Sequence, residues 1–405
     1  MTIRRLKELV DPHRPITYGI VQAGEDVPDG VPYIRPIDMD EREGVRDPTS
    51  LLRTSRAIAE AYRRSTVRAG DLVVSIGPSF GKVMIIPEDL DGANLTQGTA
   101  RVALREWVDR RYLYWALQSS EVVAFWESSI GGATFHALNL GPLRETPVSV
   151  REPGEQRAVA DYLDAETARI DAIVARRRAA DALIAKRREA VVAKEFDAAR
   201  QRNGVIPLRR LAKDLVVGVV VRPATLYAES GRPFLRGQNL SSQGVTDENL
   251  RYISDADNHA HPNSVLRDGD VLVSRVGLTG QAAVVPQWAV GGNCVGMLIV
   301  RCGRLLSPVY AALAINAPDG QRQLEGLAGG SVQDVLNASA LGTLVVPNLP
   351  VQAQEALVAR LAPVLTAHDE ARAAIARHVA LLQERHQAVI TAAVTGQLEI
   401  PGVAA

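Results

Sequence analysis

The stretch "VRAGDLVVSIGPSFGKVMIIP", Val67 to Pro87, is answered later in the chain by "LRDGDVLVSRVGLTGQAAVVP", Leu266 to Pro286. Both copies carry a Gly-Asp turn, a Val-rich run, a serine, a glycine ahead of Lys82 or Gln281, and an apolar pair closing on proline. A Gly-Asp turn feeding β-branched residues reads as a strand entered from a turn. The offset is 266 minus 67, or 199 residues, in a chain of 405. Other landmarks keep the same order. "GVPYIR" (Gly30 to Arg35) returns as "GRPFLR" (Gly231 to Arg236), and "GGATFHALN" (Gly131 to Asn139) as "GGSVQDVLN" (Gly329 to Asn337). The chain is therefore read as one long unit written twice.

Each copy reads alike between these landmarks. Short strands come first, then a brief helix ("RRYLYWALQSS" or "SPVYAALAIN"), then the paired glycine segment and a strand near "TPVSV" or "LVVPN". Residues 1–150 and 204–348 are accordingly expected to form two α+β domains of similar fold, each of ordinary domain size.

The end of each copy, residues 151–203 and 349–405, differs in kind. From Glu155 to Asn203 there is neither Gly nor Pro, and Ala, Arg, Glu, Leu and Ile dominate, all compatible with a long helix. Val159, Leu163, Ile170, Ile173, Ala180, Ile184 and Val191 trace an approximate heptad seam, interrupted by Glu166, Arg177 and Arg187. Leu357, Leu361, Val364, Ala371, Ile375, Leu382 and Val389 trace its counterpart, interrupted by His368, His378 and Arg385. A helix of about 40 residues is roughly 60 Å long and cannot bury such a stripe on its own small domain. The two helices are expected to pack on each other as an antiparallel coiled coil, relating the copies by pseudo-twofold symmetry. Pro363 removes a helix hydrogen bond and crowds the preceding turn, so a kink or break is expected near Leu361.

Composition bounds the partners. Lys+Arg 46 against Asp+Glu 46 gives a net charge of +0, which disfavours a protein holding nucleic acid by bulk electrostatics alone but leaves local basic surfaces open. No apolar run is long enough to span a membrane and no secretory h-region follows the N-terminus, so a soluble cytoplasmic protein is expected. Cys294 and Cys302 lack zinc-ligand spacing and read as buried thiols.

The segment "PVSVREPGEQRAVADYLDAETARIDAIVARRR", Pro147 to Arg178, resembles the helical region of specificity subunits of type I restriction-modification systems, where proline and a Glu-Gln pair open a long helix. Pro153, Glu155, Gln156, Val159 and Ala160 carry the motif. "PVQAQEALVARL" keeps Pro350 and Gln354 one residue further apart, and the end "RHQAVITAAVTGQLEIPG" resembles the family's C-terminus around Thr395-Gly396. The resemblance implies two target recognition domains, each reading half of an asymmetric bipartite site in double-stranded DNA. It implies docking of two methyltransferase subunits for adenine methylation and of motor-nuclease subunits for cleavage. It also implies a chain without catalytic residues, cofactor or metal of its own, with S-adenosylmethionine, ATP and Mg bound by the partners. Duplication then gives one chain what a DNA-reading dimer obtains from two.

The residues themselves offer no catalytic constellation. There is no Asn- or Asp-Pro-Pro-aromatic loop for a flipped base; "IGPSFG" and "GNCVG" fit no dinucleotide fingerprint, and no phosphate-binding G-x-x-x-x-G-K-[ST] occurs. His259 and His261 read as an exposed polar loop before Pro262 rather than half a metal site. Base readers are sought among polar residues on turns after strands: Ser79, Phe80, Lys82, Thr134 and His136 in the first copy, Arg275, Thr279, Gln281, Ser331 and Gln333 in the second. Arg and Lys suit guanine and Gln suits adenine. A residue that distinguishes the half-sites should differ between copies. Arg35 and Arg236 recur in both, which fits a structural ion pair or a phosphate contact. Arg176, Arg177, Arg178, Lys186, Arg187 and Arg188 crowd the first helix, either as a solvated face or as a surface over DNA or an acidic partner. From another class, a non-nucleic-acid adaptor or scaffold with β-rich domains and a helical hairpin shares this outline, though such adaptors usually carry a membrane anchor.

Overall fold

In the computed structural model, the described residues are 1–40, 44–45, 47–130, 137–220, 225–241, 244–275, 280–328, 335–401 and 403. The first part of the chain forms β1 (Thr2–Arg5), β2 (Thr17–Tyr18), β3 (Val31–Ile34), β4 (Met39–Asp40), β5 (Gly44–Val45), β6 (Arg53–Thr54) and helix α1 (Arg56–Ala61). There follow β7 (Leu72–Ser75), β8 (Val83–Ile85), β9 (Asn94–Leu95), β10 (Thr99–Val102), helices α2 (Arg110–Ala116), α3 (Ser120–Ser129) and α4 (Leu140–Glu145), and β11 (Pro147–Val150). One sheet has the order β2-β10-β7-β8, a second β6-β3-β9, and β1 pairs with β11.

The long helix α5 (Pro153–Asn203) leads into β12 (Val205–Pro207), β13 (Asp214–Val217), β14 (Tyr227–Ala228), β15 (Arg232–Leu235), β16 (Leu240–Ser241), β17 (Gly244–Val245) and β18 (Arg251–Ile253). Next come α6 (Asp255–Ala260), β19 (Asp270–Ser274), β20 (Ala282–Val284), β21 (Asn293–Cys294), β22 (Met297–Arg301), α7 (Pro308–Asn316), α8 (Pro318–Ala328), α9 (Ala338–Thr343), β23 (Val345–Pro347) and the long α10 (Val351–Thr395). The sheet orders are β13-β22-β19-β20, β14-β18-β15-β21 and β12-β23. Strand for strand this repeats the first copy, down to the parallel pairs β3 with β9 and β15 with β21. Strand β14 has no counterpart among the described residues.

The Val-rich runs lack polar alternation because both faces of each larger sheet are covered. Leu72 and Val74 enter one core with Tyr112, Trp126 and Leu143 of the helices, whereas Val73 faces another with Ile34, Met84 and Leu95. Val271 and Val273 likewise join Tyr310 and Leu341, and Leu272 joins Leu235 and Ile299. A strand buried on both sides reads as continuously apolar.

The chain divides into two compact units, residues 1–177 with 376–405, and residues 178–375, so each unit holds part of both long helices. In the first unit Ile170 and Val174 of α5 pack on Leu382 of α10, and Glu166 bonds Arg385 at 3.0 Å. In the second, Asp181 pairs with Arg372 at 2.8 Å and Glu195 with Arg360 at 3.3 Å, an antiparallel order, while Val192 and Phe196 share a core with Leu357 and Leu361. The helices thus pack together, but not on the whole expected seam. Ile173, Ala180, Ile184 and Val191 are half-buried, and Val174, Val192, Phe196 and Ala199 take the core places. Val364 is exposed and Leu365 packs in its stead. A helix of 3.6 residues per turn drifts about 20° per heptad from a 3.5-residue seam, so a strict heptad loses the buried face over this length.

The break expected at Pro363 is absent: α10 is one helix through it. Pro363 and Ala359, whose carbonyl would have accepted the missing N–H, both lie on the exposed face. The freed carbonyl is open to water, and Leu357 and Leu361 hold the buried face in place.

Several carboxyls are held low by arginine: Asp181 by the Arg372 hydrogen bond, Asp319 by those from Arg200 and Gln323. A depressed carboxyl contributes stability that is present above its ordinary pKa, 3.8, and is lost as pH falls through the lower folded value. Arg372→Ala should therefore lower the melting temperature slightly at pH 7, where the pair is charged and half-buried, with the difference from the parent closing as pH falls between about 4 and 2, so that the acid limb becomes shallower. Circular-dichroism melts of both chains across that range measure it.

Candidate nucleic-acid interface

The recurring serine and glycine build one turn twice. Ser75 Oγ accepts from the Lys82 N–H at 2.9 Å and donates to the Ser79 carbonyl at 2.8 Å, and the Gly81 N–H donates to the Ser75 carbonyl at 3.1 Å. Ser274 Oγ accepts from the Gln281 N–H at 2.9 Å, and the Gly280 N–H donates to the Ser274 carbonyl at 3.0 Å. Gly81 and Gly280 have φ of 95° and 87°, a left-handed conformation that a side chain would strain. The residues shared by the copies are scaffold; those between serine and glycine are left to vary. Ser75→Ala or Ser274→Ala is expected to cost about 1–3 kcal/mol, because each strands a backbone N–H beside a buried hydroxyl site. Urea titration of each variant measures that loss.

The residues sought as base readers do not all project. Ser79 is exposed at the turn tip. Phe80 is half-buried and packs on the first core, so its ring is partly structural. Lys82 Nζ reaches the carbonyls of Pro36 and Met39 at 3.4 and 3.2 Å, which brings this turn against the one headed by Arg35. Arg275 and Leu336 bond reciprocally: Arg275 Nε donates to the Leu336 carbonyl at 3.0 Å and the Leu336 N–H to the Arg275 carbonyl at 3.1 Å. Gln281 is half-buried, and its Oε1 is enclosed without a hydrogen-bond partner among the described residues. Thr134, His136, Thr279, Ser331 and Gln333 lie outside the described residues.

Arg35 and Arg236 occupy the same turn position. The Arg35 N–H donates to Asp38 at 2.8 Å and the Arg236 N–H to Asn239 at 3.1 Å. Their guanidiniums then diverge: Arg35 pairs with Asp38, which holds its pKa up, whereas Arg236 donates to the Asn249 carbonyl at 2.6 Å and stands over the Tyr227 ring. Both side chains thus have structural partners. On α5, Lys186 and Arg187 are exposed, but Arg188 turns toward α10, 3.9 Å from Asp369. His259 and His261 sit not on a loop but on α6 and its C-cap, each with Nδ1 against a backbone carbonyl four residues earlier.

The glutamines of the helix-opening motif do structural work that their sequence alone does not disclose. Gln156 Oε1 accepts from the Asp109 N–H at 2.8 Å, ahead of α2, while Nε2 donates to the Arg151 carbonyl at 2.8 Å. Gln354 Oε1 accepts from the Ser307 N–H at 2.8 Å, ahead of α7, while Nε2 donates to the Leu305 and Leu349 carbonyls at 2.9 Å. Both are fully buried. The apparent one-residue slip of the second motif disappears: Gln156 N–H donates to Glu152 and Gln354 N–H to Pro350, so Pro350 occupies the position of Glu152 rather than Pro153. Tyr112 and Tyr310 repeat a second staple, each hydroxyl donating to a strand carbonyl, Ser149 at 2.8 Å and Pro347 at 2.9 Å. Tyrosine at an offset of 310 minus 112, or 198, was the available signal.

Burial pushes the Cys294 and Cys302 thiols up to about 12, so neither is a ready nucleophile or ligand. Among the described residues no three His, Cys, Asp or Glu side chains are grouped to hold a metal ion, and no helix is long and apolar enough to cross a membrane.

No family model matches the chain. The chain is 28% identical over 202 residues to the type I restriction enzyme EcoBI specificity subunit of Escherichia coli; the match covers 47% of this chain and 40% of that relative. It therefore spans less than half of the curated relative's length. A chain solved in a study of complex assembly and conformational transition of the type I R-M system superposes with a TM-score of 0.63 over 98% of both chains, at 19% identity, a likeness of fold. The HsdS subunit of Thermoanaerobacter tengcongensis covers 98% of this chain and 97% of its own at 18% identity, with a TM-score of 0.49. In sequence over 47% of its length the chain resembles a type I specificity subunit, and in fold over nearly all of it a chain of a type I R-M system.

Proposed function

We propose that the chain is the non-catalytic DNA-specificity subunit of a type I restriction-modification complex. Each α+β domain reads one half of a bipartite, asymmetric site in double-stranded DNA. The paired helices carry two methyltransferase subunits, which bind S-adenosylmethionine and methylate adenine; motor-nuclease subunits supply ATP- and Mg-dependent cleavage. The observation that carries this reading is the repeated turn: scaffold residues Ser75, Gly81, Ser274 and Gly280 coincide, while Ile76 faces Arg275, Phe80 faces Thr279 and Lys82 faces Gln281 in the alignment of copies. A scaffold kept with its tip changed is what reading two different half-sites requires.

Reconstitution tests it. The purified chain with S-adenosylmethionine should methylate nothing. With two methyltransferase subunits it should co-elute on gel filtration, footprint a split site and support adenine methylation there. Methyl transfer by the isolated chain, or a stable complex without DNA specificity, would overturn the proposal. Lys186 and Arg187 extend it as phosphate contacts of α5; Arg188 is left out because it faces α10. Lys186→Ala with Arg187→Ala should lower the slope of log affinity against log salt by about 2 without altering the sequence read. An unchanged slope removes α5 from the DNA.

A further inference from the structure

Six arginines from distant parts of the first copy line one open cleft of about 630 Å³: Arg14, Arg63, Arg64, Arg68, Arg101 and Arg144. No carboxylate is among its lining residues. Two of the arginines are neutralised from outside, Arg14 by Asp71 at 2.8 Å and Arg63 by Glu60 at 3.4 Å. Among the described residues, Arg64, Arg68, Arg101 and Arg144 have no carboxylate within ion-pair distance. Arg101 is 5% exposed, and although Nη1 donates to the Thr66 carbonyl at 2.8 Å, its Nε is enclosed without a hydrogen-bond partner. Burial, and after it the charge of Arg14, holds its pKa down, while Asp71 works in the other direction.

The second copy keeps only part of this cleft's charge at matching positions, with Arg267 in the place of Arg68 and Arg301 in that of Arg101. Arg101 lies opposite Thr17 on β2, and its counterpart Arg301 opposite Asp214 on β13. The short helical turn that holds Arg63 and Arg64 holds Pro262 and Asn263 in the second copy. Arg144, fifth residue of α4, corresponds to Gly342, fifth of α9. Arg301 is instead neutralised by buried Asp270 at 2.8 Å. Arg68 and Arg101 thus recur as Arg267 and Arg301, as shared scaffolding would, whereas Arg63, Arg64 and Arg144 belong to the first copy alone.

We propose that this cleft is a phosphate-binding site of the first copy alone, taking a phosphate group presented either by a free nucleotide or pyrophosphate, or by a nucleic-acid backbone. Arg101 and Arg144 are steadied by the Thr66, Pro15 and Ile16 carbonyls, and the exposed Arg64 and Arg68 lining the same cleft are suited to bidentate capture of phosphate oxygens. The cleft is distinct from the turn argued above to face bases. Strand β7 runs from Leu72, beyond Arg68, to Ser75, where that turn begins, so the two lie at opposite ends of the strand. The site therefore stands whether or not the chain reads DNA.

The test uses the full chain and Arg64→Ala with Arg68→Ala. Both side chains are exposed and have no hydrogen-bond partner among the described residues, so folding is preserved; Arg267→Ala, the counterpart of Arg68, is the control. Isothermal titration at low salt with pyrophosphate, and with ATP without Mg, is compared with binding of a non-specific duplex across salt concentrations. Pyrophosphate or ATP binding to the parent chain that weakens about tenfold or more in the double variant, with the control unchanged, supports the site with a free phosphate as source. Absent pyrophosphate binding, a fall of about 2 in the duplex salt slope in the double variant alone supports it with the backbone as source. If neither probe separates the double variant from the parent, or if Arg267→Ala behaves identically, the proposal is wrong. A chain that binds pyrophosphate but footprints no split site when assembled with two methyltransferase subunits refutes the DNA reading and leaves this site standing.

Discussion

Replacing residues 1–150 with the first recognition domain of another type I specificity subunit is expected to change one half of the methylated sequence and leave the other half intact. Each mismatched base pair costs about 1–3 kcal/mol, so a half-site of three or four bases read by the wrong domain falls by a factor on the order of a thousand or more. The exchange is physically reasonable because the main joints grip backbone. Gln156 Oε1, on the retained helix, accepts from the Asp109 backbone N–H, a group that any incoming domain of the same fold presents. The charged contacts are particular to this chain: Arg111 reaches Asp161 and Asp164 at 2.7 Å, and Trp115 Nε1 reaches Asp164 at 2.7 Å. Their loss should lower stability without redirecting the reading. Single-molecule methylation mapping of cells carrying the parent and the exchanged chain would measure it. A change in both halves, or in neither, would refute the division of labour between domains.

The largest single-residue loss of stability is expected at Gln354. Gln354→Ala removes three hydrogen bonds at once and leaves the Ser307 N–H and the Leu305 and Leu349 carbonyls wanting partners in a dry site. Stranded buried groups cost about 1–3 kcal/mol each, so about 3–5 kcal/mol in all is expected, with relaxation offsetting the rest. For a unit of this size that lowers the melting temperature by roughly 10 °C in calorimetry. Gln354→Glu separates hydrogen bonding from packing. An ionised carboxylate can still accept from Ser307 but meets two carbonyls that it cannot satisfy, so its pKa in the folded chain is raised. A raised carboxyl binds its proton more tightly when folded, and stability should therefore recover as pH falls toward that raised value. Gln156→Ala, with two hydrogen bonds, should lose less. Equal and small losses at both positions would mean that the glutamines only fill space.

The copies were legible because their shared residues are tied to local geometry. Ser75 with Gly81, and Ser274 with Gly280, stand six residues apart since one turn conformation needs a hydroxyl and a left-handed glycine at that spacing. The absence of Gly and Pro from Glu155 to Asn203 sufficed to announce α5. Helices α3 and α8 are not separated from their neighbours by the sequence reading, although Ser119 caps α3 through the Val122 N–H and Pro318 opens α8 ahead of Asp319. Of the side chains sought at the DNA face, Phe80 and Arg188 have tertiary partners that local pattern does not disclose, because a residue on a turn or helix is assigned to core or solvent by elements that arrive from elsewhere. Phe80 packs on the first core, and Arg188 meets Asp369 on α10.

By itself, then, the sequence determined the duplication, through landmarks recurring about 199 residues apart, and the existence of two long helices, through runs free of glycine or rich in helix formers. Tertiary structure alone decided which stripe of each helix is buried, since a period of 3.6 slides the apolar face away from any strict heptad. It decided that Pro363 is harmless, because the carbonyl it frees faces water. And it gathered Arg14, Arg68, Arg101 and Arg144 into one cleft although 130 residues separate the first from the last, 144 minus 14. Contacts between residues so distant depend on how whole sheets and helices stack, and no local pattern of side chains encodes that.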